Sequence, residues 1–326
     1  MKTKALTEYS NLRQMAMRQL PALRKLTARK LLNAVGIYAE YQRRRTVLKH
    51  KPVILKFDPS TLCNLRCPAC HPNGNTGGGI MSETVFSALL EKLPFEYFIK
   101  ATAYMFGEPL LNRRIYDMIR SVSQRNVSTS ISTNFHVFSK TDADALIDSG
   151  LTWILVCIDG ADQETYARYR IGGNLQQVLS NLELLIRRKK ERGARTPLIE
   201  VQSIVFDYNQ DQIEKIERMC LKMGVERFTT RANALLQVTR TPAFTAKPMK
   251  PKSACFFLYG SFMVDYDGTV VPCCLGRYSF GNLMSSSFEE IWNNDKFVAA
   301  RTWFASGFKE RDTRFELPCY DCPLFK

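Results

Sequence analysis

The chain has 326 residues, 45% of them hydrophobic, with 46 Lys and Arg against 31 Asp and Glu and a formal charge of +15. That length exceeds the roughly 100 to 200 residues of one ordinary domain, so a main domain with an appendage is expected, with apolar side chains enough for a full core. No apolar run approaches the ~18 residues of a membrane-spanning helix and no signal-peptide stretch opens the chain, which predicts the cytosol, where clustered cysteines are metal ligands or reactive thiols rather than disulfides.

Residues 1–52 hold thirteen Lys and Arg against only Glu8 and Glu40, so +11 of the +15 lies there. Leu20, Leu23, Leu26, Leu31, Leu32 and Ile37 are interleaved with those charges, which predicts one or two amphipathic helices broken near Pro21. Such an extension can lie peripherally on an anionic membrane surface, receive an acidic partner, or pack on the main domain with its basic face in water. Nucleic acid is not expected, because no recognisable binding module accompanies the charge.

From residue 53 short apolar runs alternate with amphipathic ones. Strands are predicted over 53–57, 98–105, 127–132, 153–158, 198–206 and 227–231, and helices over 82–93 (Ser82 as N-cap), 114–125, 141–149, 175–192 and 209–223. Six strand-then-helix units imply a parallel sheet with right-handed crossovers, either open and doubly wound or a partial barrel. Both architectures put chemistry at the carboxyl ends of the strands.

Directly after the first strand comes Cys63-Asn64-Leu65-Arg66-Cys67-Pro68-Ala69-Cys70. A four-iron cluster has one coordination site per iron, so three thiolates at this spacing hold it and leave one iron open to a ligand that is not protein. Structural zinc is the alternative reading. Tetrahedral zinc wants four donors, and three thiolates followed by His71 meet that need poorly.

After the second strand stands Met105-Phe106-Gly107-Glu108-Pro109, after the third Ser132-Thr133-Asn134, and after the fourth Cys157-Ile158-Asp159-Gly160, with Arg170 shortly beyond. Each is weak alone, since such short runs are commonly turns or caps; in this order after successive strands the chain resembles the radical S-adenosylmethionine (SAM) superfamily. The resemblance covers residues 53 to about 235 and implies a partial (β/α)6 TIM-like barrel. It implies that Cys63, Cys67 and Cys70 bind a catalytic [4Fe-4S] cluster with SAM on the open iron. Reductive cleavage of SAM then gives a 5′-deoxyadenosyl radical that takes a hydrogen atom from substrate. By the same resemblance Gly107, Glu108 and Pro109 meet the SAM ammonium, Ser132, Thr133, Asn134, Cys157 and Asp159 lie near SAM, and Arg170 partners its carboxylate. Three departures stand out: Phe106 replaces a glycine, Cys157 replaces a serine, and Ala69 replaces an aromatic.

A Pro- and Lys-rich stretch over 239–252 reads as a linker, and 262–271 as a hairpin turning at Asp267-Gly268. The tail then carries Cys255, Cys273, Cys274, Cys319 and Cys322. It resembles the SPASM and twitch extensions of the same superfamily, which implies a small cysteine-rich α+β domain with one auxiliary [4Fe-4S] cluster on Cys255, Cys273, Cys319 and Cys322. A zinc ribbon is the alternative for these four. Cys274 is left over as a core thiol or a hydrogen-atom donor, Cys157 and Cys220 are read as buried and inert, and His50 and His136 as structural or surface residues.

The expected organisation is therefore a basic helical extension over 1–52, the partial barrel over 53–238 and the auxiliary-cluster domain over 239–326. The expected activity is oxidation of a sugar, aminocyclitol or peptide, with the auxiliary cluster taking the second electron and a flavodoxin- or ferredoxin-type donor supplying the first. A radical epimerase using Cys274, and a non-catalytic iron-sulfur or zinc module, are the alternatives.

Overall fold

The strand β1 (Ile54–Phe57) alternates half-buried and buried positions, because Leu55 and Phe57 face the helix that follows while Ile54 and Lys56 face away. The computed structural model that shows this describes residues 22–68, 70, 78–232, 254–274, 278–322 and 325. The linker 239–252 and the Pro21 break lie outside the described residues. Strands follow in the expected order: β2 (Lys100–Thr102), β3 (Ser128–Thr133), β4 (Trp153–Cys157), β5 (Leu198–Val205), β6 (Arg227–Ala232), and then β7 (Ser261–Val264) and β8 (Val270–Val271). Hydrogen-bonded neighbours run β6-β5-β4-β3-β2-β1-β7-β8. The β1–β2, β2–β3, β4–β5, β5–β6 and β1–β7 ladders are parallel and β7–β8 is antiparallel.

The chain divides into two compact units, one of 26–63, 73–131 and 247–326, the other of 1–25, 64–72 and 132–246. In the first, α1 (Ala28–Gln42) precedes β1, and α2 (Glu83–Lys92) follows it with Ser82 capping Val85 N as expected. The Phe57 and Phe86 rings meet at 5.9 Å between β1 and α2. α3 (Ile115–Ser123) buries Ile115, Met118, Ile119 and Val122, one helical stripe.

The tail hairpin turns at Gly268, whose φ of +84° is the left-handed conformation that favours glycine. Its first strand adds to the free side of β1, Ile54 opposite Ser261 and Phe57 opposite Val264. Beyond the hairpin α8 (Phe288–Trp292) and α9 (Asp295–Ala305) pack rings from Phe262, Phe288, Trp292 and Phe297 at 5.0 to 6.1 Å. Arg301 is fully buried among them and donates to the carbonyls of Leu258, Thr46 and Trp292; burial pushes its pKa down to about 9.

The helix α1 is inside out for a surface helix. Lys30, Asn33, Ile37 and Glu40 are buried, whereas Leu31, Leu32, Val35 and Tyr38 are 53%, 72%, 61% and 56% exposed. The buried polar groups are spent on backbone: Lys30 donates to Asn126 O, Asn33 exchanges two bonds with Lys51, and Glu40 accepts from Lys49 N and His50 N. An outward apolar stripe on a soluble surface costs hydration free energy.

In the second unit α4 (Lys140–Asp148), α5 (Gln163–Tyr169), α6 (Leu175–Glu191) and α7 (Ile213–Met223) accompany β4 to β6. Leu175, Val178, Leu182 and Leu185 make the buried stripe of α6, and Ile213, Ile216 and Cys220 that of α7. Cys220 is a core thiol, its pKa pushed up to about 12 by burial. The short α5, capped by Asp162 on Thr165 N, is an element the sequence pattern does not reveal.

Candidate active site

The Gly107 turn is built against the strand that leads into the cysteine loop. A Cβ on Gly107 would lie 2.3 Å from Ser60 O and 2.6 Å from Leu62 O, so only glycine lets the two backbones meet. Glu108 N donates to Leu62 O at 2.8 Å. Its side chain is 2% exposed and caps the short turn Pro109–Leu111 through Leu110 N at 3.1 Å. Phe106 N donates to Asp58 Oδ2 at 2.7 Å. The Phe106 ring packs with Met263 and Val271 of β7 and β8, flanked by Met105 and Phe257. Phe106, which stands where the resemblance expects a glycine, thus anchors the turn on the tail hairpin.

Cys67 and Cys70 belong to the other unit, with Cys70 N donating to Cys67 O at 3.1 Å. Cys67, like Ile204 and Tyr208, packs against the buried pair Tyr169 and Phe206. Arg170 directs Nη1 to Cys67 Sγ at 3.8 Å and Nε to Asp159 Oδ2 at 2.6 Å. Asp159 is fully buried, and its other oxygen accepts from Ile204 N at 2.6 Å. Burial alone would lower the Arg170 pKa, but the Asp159 carboxylate and the Cys157 and Cys67 sulfurs hold it well above the ordinary value. Asp159 therefore orients Arg170, and Arg170 carries the positive charge toward the cysteine loop.

Ser132 Oγ lies 3.6 Å from Cys157 Sγ, so the unexpected cysteine shares a face with the serine. Thr133 is 2% exposed and its hydroxyl accepts from Phe135 N at 2.9 Å; Phe135 has a φ of +62° and its carbonyl is held by Asn181. That bend presents Asn134, which donates to Asn64 Oδ1 at 2.8 Å inside the cysteine loop. His136 completes a relay. Asn174 N donates to its Nε2 at 2.8 Å, which leaves the proton on Nδ1, 3.1 Å from Asn134 Oδ1. Burial lowers the His136 pKa despite its bond to Asn134, which favours the neutral ring this relay needs. His136, read from sequence as structural or surface, has a structural role here, whereas Asn64 was not singled out, because an Asn inside a cysteine loop carries no signature of its own. His50 fits its structural reading: Trp292 donates to its carbonyl and its ring fills the space beside Gly36.

In the tail, Cys255, Cys273 and Cys322 all lie near enough to Cys319 to act on its charge, and burial with these neighbours pushes the Cys319 thiol well up. Cys274 is exposed and reaches Cys255 electrostatically. The turn Pro318–Asp321 that carries Cys319 is held by aromatic contacts. Tyr320 meets Trp303 edge-on at 5.3 Å and its hydroxyl donates to Asp312 O at 3.0 Å. No disulfide joins any of the ten cysteines. Among the described residues no three His, Cys, Asp or Glu side chains already stand in metal-binding geometry. Four thiols gathered in a partly buried site suit a cluster as a donor set, because sulfur ligands bind it deprotonated and the iron charge compensates them.

Residues 58–231 match the radical SAM superfamily and residues 255–323 an iron-sulfur cluster-binding domain, SPASM. The chain belongs to the radical SAM superfamily, in the group that carries a C-terminal SPASM domain. Its cofactors are accordingly a catalytic [4Fe-4S] cluster, SAM and auxiliary cluster iron. It is similar to the tungsten-containing aldehyde ferredoxin oxidoreductase cofactor-modifying protein of Pyrococcus furiosus, 24% identical over 83% of this chain and 87% of that one. A probable GTP 3′,8-cyclase of Methanococcus maripaludis is 30% identical over half of each chain, 50% of this one and 53% of the relative. Among solved structures, Streptococcus suis SuiB bound to the precursor peptide SuiA has a TM-score of 0.62 at 12% identity, covering 96% of this chain and 76% of that one. BtrN in complex with AdoMet and 2-DOIA has a TM-score of 0.53 at 16% identity, covering 80% and 89%. These likenesses show the same mostly parallel α/β fold with a C-terminal extension.

Proposed function

We propose that this chain is a radical SAM oxidoreductase, in which Cys63, Cys67 and Cys70 hold the catalytic cluster and Cys255, Cys273, Cys319 and Cys322 a saturated auxiliary cluster. The observation that supports the reading is that three further tail thiols, Cys255, Cys273 and Cys322, lie near enough to Cys319 to act on it electrostatically; a cluster ligated by all four would have no open iron and would serve electron transfer. When bound, the catalytic cluster and SAM supply a carbon radical that removes a hydrogen atom from substrate. The chain's own residues position and exclude water: Gly107 and the Glu108–Pro109 turn receive the SAM ammonium, Ser132, Thr133, Asn134 and Cys157 face the cofactor, and Asp159 orients Arg170. A base would take the proton lost from a substrate hydroxyl or amine, and the cluster that Cys255, Cys273, Cys319 and Cys322 would hold would supply an acceptor for the remaining electron, so that one SAM would be consumed per two-electron oxidation. A sugar, an aminocyclitol or a peptide meets that chemistry, and the likeness to SuiB bound to its precursor peptide is consistent with the last.

Anaerobically purified protein should hold about eight iron per chain, as two four-iron clusters require, and form 5′-deoxyadenosine when reduced with SAM. Zinc in colourless protein would instead establish a metal-binding interaction module. A second reading, radical epimerisation, uses Cys274 as the hydrogen donor; its exposed position beside Cys255 keeps it reachable. Deuterium entering product from heavy water, and lost in Cys274→Ala, would select that reading over dehydrogenation.

The electron donor is a flavodoxin- or ferredoxin-type protein on this reading. The outward apolar stripe of α1, set among Arg24, Lys25, Arg29, Arg43, Arg44 and Arg45, fits an anionic lipid surface, where each basic residue contributes ~1 kcal/mol. The full chain should sediment with phosphatidylglycerol vesicles and not with phosphatidylcholine, and L32E with V35E should abolish this. No helix of the described residues is long and apolar enough to cross a membrane. Equal recovery with both lipids, or none, would remove the membrane from this reading.

A further inference from the structure

The parallel register lines up Met263, Lys56, Thr102 and Ser130 side by side on β7, β1, β2 and β3. Neighbouring strands lie about 4.8 Å apart, so Lys56, Thr102 and Ser130 form a row about 10 Å long. Leu55 and Phe57 turn toward α2, so the row occupies the opposite face. Three facts about it need a reason. Lys56 is half-buried, and among the described residues its ammonium meets no carboxylate; it lies over the Phe257 ring at 5.2 Å. Thr102 and Ser130 are each 4% exposed, and among the described residues neither hydroxyl has a hydrogen-bond partner. Two residues earlier along β7, on the same face, the buried Ser261 hydroxyl also has no hydrogen-bond partner among the described residues.

Buried hydroxyls are ordinarily bonded, because burying one unpaired is costly. An ammonium on the same sheet face as two such hydroxyls supplies donors and positive charge, and among the described residues no carboxylate meets it. The row also adjoins the Gly107 turn, since Met263 of the same row packs against Phe106 and is flanked by Phe257. We infer that Lys56, Thr102 and Ser130 form a subsite for an anionic oxygen group, a phosphate or a carboxylate, borne by the substrate. Lys56 supplies the charge and the hydroxyls fix orientation, a division that matches an ammonium's lack of directional preference. The inference rests on the proposed function, whose site the subsite would serve, and it narrows the substrate class to an anionic molecule.

Thermal midpoints of the anaerobically reconstituted full chain test it, with inorganic phosphate in one arm, acetate in another, and sodium chloride at matched ionic strength as the control. A bound anion raises the midpoint by mass action. Phosphate or acetate should raise it beyond the chloride control, and Lys56→Gln should need about tenfold more anion for the same rise, the loss expected of a charged hydrogen bond. Thr102→Val keeps the shape and removes only the hydroxyl. It should leave the anion-free midpoint unchanged or higher while weakening the anion response about threefold. Equal responses in wild type and Lys56→Gln, no response to either anion, or a Thr102→Val midpoint that falls without anion would each overturn the subsite. Cleavage of SAM by the reduced wild-type protein is read separately. If no 5′-deoxyadenosine forms, the enzyme reading fails; if it forms while the anion response ignores Lys56, only the subsite fails.

Discussion

Replacing Cys63, Cys67 and Cys70 together by alanine removes the catalytic cluster and reduces 5′-deoxyadenosine formation to background, while about four iron per chain remain on the tail cysteines. The effect is expected to be large because the variant removes all three loop thiolates at once, and the loop's contacts include the Arg170 guanidinium, the Asn134 amide and aromatic rings, none of them a thiolate. Iron and sulfide analysis with electron paramagnetic resonance separates the two centres. The complementary variant, alanine at Cys255, Cys273, Cys319 and Cys322, should keep SAM cleavage and lose substrate oxidation. Iron content unchanged by the first variant, or SAM cleavage that survives it, would take the catalytic cluster away from this loop.

Arg170→Met is the second large effect, expected to cost about 3 to 5 kcal/mol in denaturant unfolding because it strands a fully buried carboxylate. The Arg170–Asp159 bond is 2.6 Å long with the two side chains 11% and 0% exposed, so solvent screens little of that loss. Adding Asp159→Asn should recover part of it, since the amide oxygen still accepts from Ile204 N while the stranded charge is gone. The same variant removes the donor 3.8 Å from Cys67 Sγ, so the potential of the catalytic cluster should move to more negative values. A variant as stable as wild type, with an unmoved potential and only weakened SAM binding, would return Arg170 to the simpler role of a carboxylate partner.

Much of this molecule was legible in its residues. Six strands and the five expected helices occur within a few positions of their predicted bounds, because each pairs a short apolar run with a capped amphipathic one: Ser82 caps as its position predicts, and Gly224 ends α7 in the left-handed conformation. The family stations were legible for a different reason. Cofactor contacts fall at strand ends, and strand ends are visible as changes of periodicity. The departures were visible but mute: that Phe106 packs on Met263 and Val271, or that Cys157 meets Ser132, depends on residues far away in the chain. The His136 relay was not legible at all, because its members Asn64, Asn134 and Asn174 are joined only by folding.

The residues alone pointed to the family: three cysteines at one spacing after the first strand, and a cysteine-rich tail, are local features of sequence, and the matched radical SAM and SPASM segments carry them. The tertiary structure decided three things. It placed the tail hairpin beside β1, turned the apolar stripe of α1 outward, and set Lys56 in register with two hydroxyls that have no partner among the described residues. Strand register and burial depend on partners far apart in the chain, Ile54 and Ser261 among them, and a periodicity of two or of 3.6 says which side chains share a face but not what that face will meet.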